Sequence, residues 1–368
     1  MLFLDAAVAA SSFTLAVQMG LNANFLADEM GLSGFQLGGL EAVRESCGIV
    51  ALGVLAALAG FAEPLVGAAM LVLLAAGISG YAFVPSYAWL VGMSIVWSQG
   101  LHVWMPLPNS MVLSLAEPGR AGYRLGQQRA AGSAGFFAGV VAALGLTLAG
   151  VRIRPMFLLA GAVALLAAAA CLGVPRDIKT PGPRLVFRRR YGLYYLLSFL
   201  EGWRKQIFIC FAGFLLVRVH GASLTTILLL FGAVQAICYF ASPWAGRLID
   251  REGERRVLVF YFACLTAFFV GYAFIPSRPV LYVLFVVDNS YFVFSAALTT
   301  YVNRIAPRSE HTPTLGMGVA MNHVAAVMMP LVGGILWTTL GYQWAFVVGA
   351  AAAAVSVYFA ARLPRQSG

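Results

Sequence analysis

Twelve stretches of this sequence are each long and apolar enough to cross a lipid bilayer, and they follow one another with short breaks. Cutting the chain at its proline, glycine and charged punctuation places them near 3–27, 36–61, 65–84, 87–115, 124–149, 155–174, 191–217, 223–246, 256–275, 279–305, 314–340 and 343–362. A helix needs about 20 apolar residues to cross the hydrocarbon layer. Lipid offers backbone amides no partners, so each stretch must satisfy its own hydrogen bonds as a helix. The expected fold is therefore all-α and polytopic, with 12 transmembrane helices. Composition agrees: 61% of the 368 residues are hydrophobic and 10% charged, against about 45–50% and 25% in soluble domains.

One connection is long, PRDIKTPGPRLVFRRRYG at 175–192. It divides the chain into a six-helix bundle at 1–174, a basic cytoplasmic linker at 175–190 and a second six-helix bundle at 191–368. LAEPGRAGYRLG at 115–126 returns loosely as IAPRSEHTPTLG at 305–316, the offset expected of a duplicated six-helix unit. The formal charge of +10 points to the positive-inside rule and away from nucleic acid. If the N-terminus is cytoplasmic, the inner loops hold Arg120, Arg124, the basic residues from Arg176 to Arg190, those from Arg247 to Arg256, Arg308, Arg362 and Arg365. The outer loops hold Arg152, Arg154, Arg218 and Arg278. That bias sets both termini on the cytoplasmic side of the inner membrane.

Ionisable groups inside a bilayer cost at least about 2.5 kcal/mol each, so their positions report which helices avoid lipid. The third, sixth, ninth and twelfth segments carry none in their cores. The first carries Asn22 and Asn24, the fourth His102, the seventh Glu201, Arg204 and Lys205, and the tenth Asp288 and Asn289. The second and eleventh add Glu41, Arg44, Glu45, Asn322 and His323. This period of three, seen in both halves, resembles the major facilitator superfamily of secondary transporters. The resemblance implies a cavity lined by helices 1, 4, 7 and 10.

The loop GRLIDREGERR at 246–256 packs seven charges into eleven residues and is similar to that family's signature at Gly246, Asp250, Arg251, Gly253 and Arg255. Glu254 stands where the family usually has a base. Gly246 and Gly253 are expected to permit a tight turn; Asp250 suits a helix start, and Arg251 can pair with a carboxylate. The resemblance implies a latch that holds one conformation of a transport cycle. At the equivalent place in the first half, FAEPL at 61–65 lacks the signature.

Candidate site residues follow from these charges. Glu201, Arg204 and Lys205 fall about 15 Å into a helix of about 30 Å, spaced so that Glu201 can pair with either cation. A cation left over would neutralise Asp288 or an anionic substrate. Glu41, Arg44 and Glu45 share one side of the second helix, two carboxylates a turn apart. His102 and His323 are candidate proton relays or substrate donors, and Asn289 and Asn22 candidate polar contacts. GSAGFFAG at 132–139 reads as close helix packing. The expected function is secondary active transport of a small anionic or zwitterionic organic solute by alternating access, with protons as the coupling ion. The protein is expected to act as a monomer with membrane lipids and a small-molecule substrate as its partners, without cofactor or metal and without nucleic acid. The alternatives are a proton-driven exporter of hydrophobic compounds and a membrane assembly or receptor protein that moves nothing. No Ser-His-Asp grouping, metal-ligand cluster or phosphate loop favours an enzyme.

Overall fold

The structure is a computed structural model that describes residues 1–58, 60–117, 121–179 and 187–364. Arg120, Arg365 and residues 180–186 of the basic linker lie outside the described residues. The described chain is helical, and its one β-bridge joins Ala62 to Lys179. The helices in chain order are α1 (Leu2–Asn24, continued by a π turn at Phe25–Glu29), α2 (Gly34–Ala57), α3 (Glu63–Gly80), α4 (Tyr87–Trp104, resumed at Leu107–Leu115), α5 (Ala121–Leu148) and α6 (Ile153–Cys171). Next come α7 (Gly192–Ile207, a π turn at Phe208–Ala212, then Gly213–Arg218), α8 (224–252) and α9 (254–274). The last are α10 (Arg278–Tyr291, a 3-10 turn at Phe292–Ser295, then Ala296–Ile305), α11 (Arg308–Thr339) and α12 (Tyr342–Ala360).

Nine helices among the described residues are long and apolar enough to cross a membrane. The other three are α2, α4 and α7, which carry Glu41, Arg44 and Glu45, then Gln99 and His102, then Glu201, Arg204 and Lys205. These polar and charged groups are what set the three helices apart. Leu165 and Leu166 of α6, Phe260 and Phe274 of α9 and Val283 of α10 are more than half exposed, as expected where the surrounding medium is lipid. The chain is a multi-pass membrane protein. Departures from α-helix recur in corresponding places: π turns close α1 and interrupt α7, and short breaks interrupt α4 and α10. Such discontinuities free backbone groups inside a helix bundle.

Two compact units emerge from the packing. One takes residues 1–25, 43–183 and 224–229; the other takes 26–42, 184–223 and 230–368. In the first, α5 lies close along α1 because its small residues remove side-chain bulk. A Cβ on Gly135 would run into the backbone of Ala9, and one on Gly139 would lie 2.8 Å from Ala16 Cβ. Thr14 Oγ1 donates to the Ala160 carbonyl of α6 at 2.9 Å, and Trp104 Nε1 donates to Ser11 Oγ at 3.2 Å. In the second unit, α7 packs on α11 where Gly202 admits the Asn322 backbone and Gly318 admits Tyr194. The beginning of α2 is held there too. Phe35 N donates to Thr338 Oγ1 at 2.9 Å, and Gly38 Cα lies within 3.1 Å of where a Gly334 Cβ would be.

Residues 246–256 are mostly not a loop. Helix α8 runs on through Gly246 and Asp250, and the chain turns at Gly253 alone, with φ 78° and ψ 155°. That conformation favours glycine, since an L side chain there meets its own backbone. Gly246 is helical and faces open space, so the expected turn at Gly246 is corrected: one glycine makes it.

Candidate functional site

The strongest polar feature of the second unit is built on α7. Arg204 is fully buried. Its Nη2 lies 2.6 Å from Glu201 Oε1, one helical turn back, and 3.0 Å from the Tyr261 hydroxyl of α9. Its Nη1 lies 3.6 Å from Asp288 Oδ1 of α10. Tyr261 donates in turn to Glu201 Oε1 at 2.9 Å. The guanidinium sits over the Phe292 ring at 4.9 Å and the Tyr261 ring at 5.6 Å. Three helices thus converge on one cation. The i, i+3 spacing delivers Glu201, and the aromatic faces replace water around the positive charge.

The cluster is not electrically balanced as drawn. It holds two carboxylates and one guanidinium, and Glu201 and Asp288 are 3% and 0% exposed. Both Asp288 oxygens and Glu201 Oε2 are buried without a hydrogen-bond partner among the described residues. A lone ion in such a place costs several kcal/mol. The formal surplus is one negative charge. Glu201 and Asp288 thus meet the same cation, Arg204, and the cation left over, Lys205, lies on Asn322. Enclosed on every side, Arg204 offers no face to a solute.

Lys205 points elsewhere. Its Nζ donates to Asn322 Oδ1 at 2.7 Å, and Asn322 Nδ2 donates to the Ser198 carbonyl at 3.4 Å. Lys205, Asn322 and His323 are each half-buried, as is Asn289 beside Asp288. Glu41 is 2% exposed. In the first unit, Arg44 Nη2 pairs with Glu45 Oε1 at 3.3 Å and lies over the Trp97 ring at 5.4 Å. Ser98 Oγ donates to the Arg44 carbonyl at 2.9 Å, which ties α4 to α2. His102 Nδ1 lies 2.8 Å from the Ser98 carbonyl, so this nitrogen is used within α4. Asn22 accepts from Gln18 Nε2 at 3.2 Å, also within one helix.

Tyr261, Phe292 and Trp97 are the members that sequence reasoning missed. Tyr261 sits on the ninth segment, which carries no charge and reads as lipid-facing. A phenol in an apolar run looks like any interfacial aromatic, and only the α7–α9–α10 packing turns it inward.

At the α8–α9 turn, Asp250 and Arg251 are exposed. Arg251 Nε lies 3.5 Å from its neighbour Glu252, Arg256 Nη1 lies 3.1 Å from Glu252, and Arg255 is half-buried. Glu254, the residue that departs from the expected base, is 4% exposed and pairs with Arg304 at the end of α10, 3.2 Å away. The acid thus ties the turn to α10. At the corresponding turn of the first half, Glu63 is fully buried and accepts from Ser110 Oγ at 2.6 Å. Glu63 N donates to the Ile178 carbonyl at 2.8 Å, so the beginning of the linker is stitched to this turn.

Comparison with known proteins agrees with this architecture. Residues 194–368 match the sequence profile of the Major Facilitator Superfamily. No curated protein matches the chain in sequence. Among solved structures, the nucleoside transporter NupG is 13% identical with a TM-score of 0.81, covering 97% of this chain and 98% of that one. A bacterial homologue of the human lysosomal transporter Spinster, in an inward-facing and occupied conformation, is 13% identical with a TM-score of 0.75, covering 98% and 95%. A D-xylose-proton symporter is 14% identical with a TM-score of 0.72, covering 99% and 98%. At these identities the likeness is one of fold.

Proposed function

We propose that this chain is a proton-coupled secondary transporter of the Major Facilitator Superfamily, moving a small organic solute by alternating access across the cytoplasmic membrane with both termini inside. The observation that carries the coupling is the charge count at Arg204. Two enclosed carboxylates share one cation, and a resident proton completes the set. When the site opens to one side of the membrane and the proton leaves, the cluster gains a negative charge it cannot keep buried. Chain motions that rehydrate it are thereby favoured, and reprotonation allows it to close again.

The half-buried Lys205 and Asn322 of the same unit are the solute contacts in this reading. An ammonium beside an amide suits an anionic or zwitterionic solute, or one rich in hydroxyls. Arg204 has a positioning role, holding Glu201 and Asp288 together. Structural relatives named for nucleosides and D-xylose define the first solutes to screen, together with small organic acids.

The test uses proteoliposomes with a trapped pH indicator. Addition of a transported solute, found by thermal-shift screening, should acidify or alkalinise the lumen in step with solute flux. An imposed pH gradient should drive accumulation. Solute flux that is indifferent to the pH gradient would overturn the coupling; no flux with any solute that stabilises the protein would overturn transport.

A further inference from the structure

A second charged site lies at the cytoplasmic start of α7. Arg188, Arg189 and Arg190 stand in succession just before Gly192. Together with Glu310 in the first turn of α11 they line a cavity of about 440 Å³. The two helix starts are neighbours because Tyr194 packs against Gly318. Glu310 is the focus. Arg190 Nη2 lies 2.5 Å from Glu310 Oε2, and the Tyr191 hydroxyl donates to the same oxygen at 2.8 Å. Arg188 Nη2 lies 3.8 Å from Oε1. The arginines remain more than half exposed, with side-chain values of 58% for Arg188 and 57% for Arg190. Beside them, Phe187 is 69% exposed and stacks on Tyr195 with ring centroids 5.3 Å apart.

The chemistry is that of an anion site with an internal occupant. Three arginines and one glutamate line the cavity, so the lining keeps a formal charge of +2. Guanidinium forks match the oxygens of phosphate as well as those of carboxylate. The depth argues for the source of that phosphate. The sequence is polar through RSEHTPT at 308–314 and turns apolar at Leu315, so Glu310 lies between one and two helical turns, or about 7 Å, outside the apolar run. This is the layer that lipid headgroups occupy, and basic pockets between helices on the cytoplasmic side are the setting in which acidic headgroups bind. Phe187 supplies an exposed apolar ring beside the charges, where an acyl chain would begin. The chemistry that α7 and Arg204 devote to coupling plays no part here.

We propose that the cavity formed by Arg188, Arg189, Arg190 and Glu310 binds the phosphate of an anionic phospholipid, with the Glu310 carboxylate as the group it displaces. Occupancy would draw the end of the linker onto the bilayer and release it from α11.

The test follows thermal unfolding of the full chain in neutral detergent as phosphatidylglycerol is titrated in, with phosphatidylcholine and inorganic phosphate as the other arms. Wild type should be stabilised by phosphatidylglycerol and by neither of the others. Glu310→Gln should respond at a concentration at least threefold lower, because the competing charge is gone. The double substitution Arg188→Gln/Arg190→Gln should need at least tenfold more lipid. These side chains are exposed, and exposed pairs contribute little to folding. Should the double substitution nonetheless fail to fold, Arg188→Lys/Arg190→Lys keeps the charge, loses the fork and should fall between the two. The proposal is overturned if the arginine variants respond as wild type does or Glu310→Gln binds no better. It is equally overturned if inorganic phosphate matches the lipid, which would make this a small-anion site.

Discussion

Replacing Asp288 by asparagine should leave the protein folded and abolish proton coupling, whereas replacing Arg204 by alanine should unfold it. Asp288 and Arg204 are 3.6 Å apart, which is worth about 4–5 kcal/mol if both are charged at an effective dielectric constant of about 20. Glu201 makes the shorter contact with the same guanidinium, 2.6 Å. Asp288→Asn leaves that pair, removes the surplus negative charge and keeps the volume, so the stability change should stay within about 1.5 kcal/mol. Arg204→Ala leaves two buried acids with no cation, and breaking a buried pair costs about 3–5 kcal/mol. Thermal or denaturant unfolding of both variants in detergent gives the stability half of the comparison. Proteoliposomes give the other half: Asp288→Asn should still exchange solute down its gradient while a pH gradient no longer drives accumulation. The reasoning fails if Asp288→Asn is as destabilised as Arg204→Ala, or if its pH-driven accumulation equals wild type.

Lys205→Gln should raise the solute concentration needed for half-maximal transport at least tenfold, with unfolding unchanged, because a half-buried ammonium on an amide is lost and no ion pair in the Arg204 cluster is touched; an unaltered transport KM argues against Lys205 as a solute contact. Gly38→Val should destabilise by about 1–3 kcal/mol, the usual cost of overpacking, because the new Cβ meets the Pro330 carbonyl and Gly334 backbone; Gly53→Val on the same helix, with nothing within 4 Å, is the control and should change unfolding far less. Hydrogen bonds from Tyr191 and Arg190 hold the Glu310 carboxyl below its ordinary value of 4.5. As pH falls, the unfolded chain therefore takes up this proton first. The stability that Glu310 contributes is complete above about pH 4.5 and is lost as pH drops through the lowered folded value. Unfolding of Glu310→Gln and wild type should thus converge under acid, and a pH-independent difference contradicts the assignment.

The fold was legible because lipid imposes a simple rule. Every backbone amide in the bilayer must be satisfied within a helix, so apolar length and punctuation locate the spans. The same rule exposed the polar segments, since a charge in lipid is too costly to be incidental. The α8–α9 turn was legible in kind and misplaced in detail. A charged stretch reads as a loop, yet α8 carries its charges to Glu252 on helical backbone and turns on Gly253 alone. Glu254 looked like a flaw in a signature until its partner Arg304, 50 residues away in sequence, came into view.

The Arg204 cluster divides the same way. Helical spacing was enough to give Glu201 a cation one turn on, Arg204 or Lys205, because i, i+3 and i, i+4 contacts are set by the pitch of a single helix; the structure chose Arg204. That Asp288 approaches the same cation, that Tyr261 donates into the pair and that Lys205 turns away to Asn322 all depend on how α7 packs against α9, α10 and α11. A side chain's neighbours across helices follow from the rotation of each helix about its axis, and the packing of small residues such as Gly202 fixes that rotation. The order of apolar runs leaves it open, because an apolar helix is equally at ease in lipid whichever way it is turned.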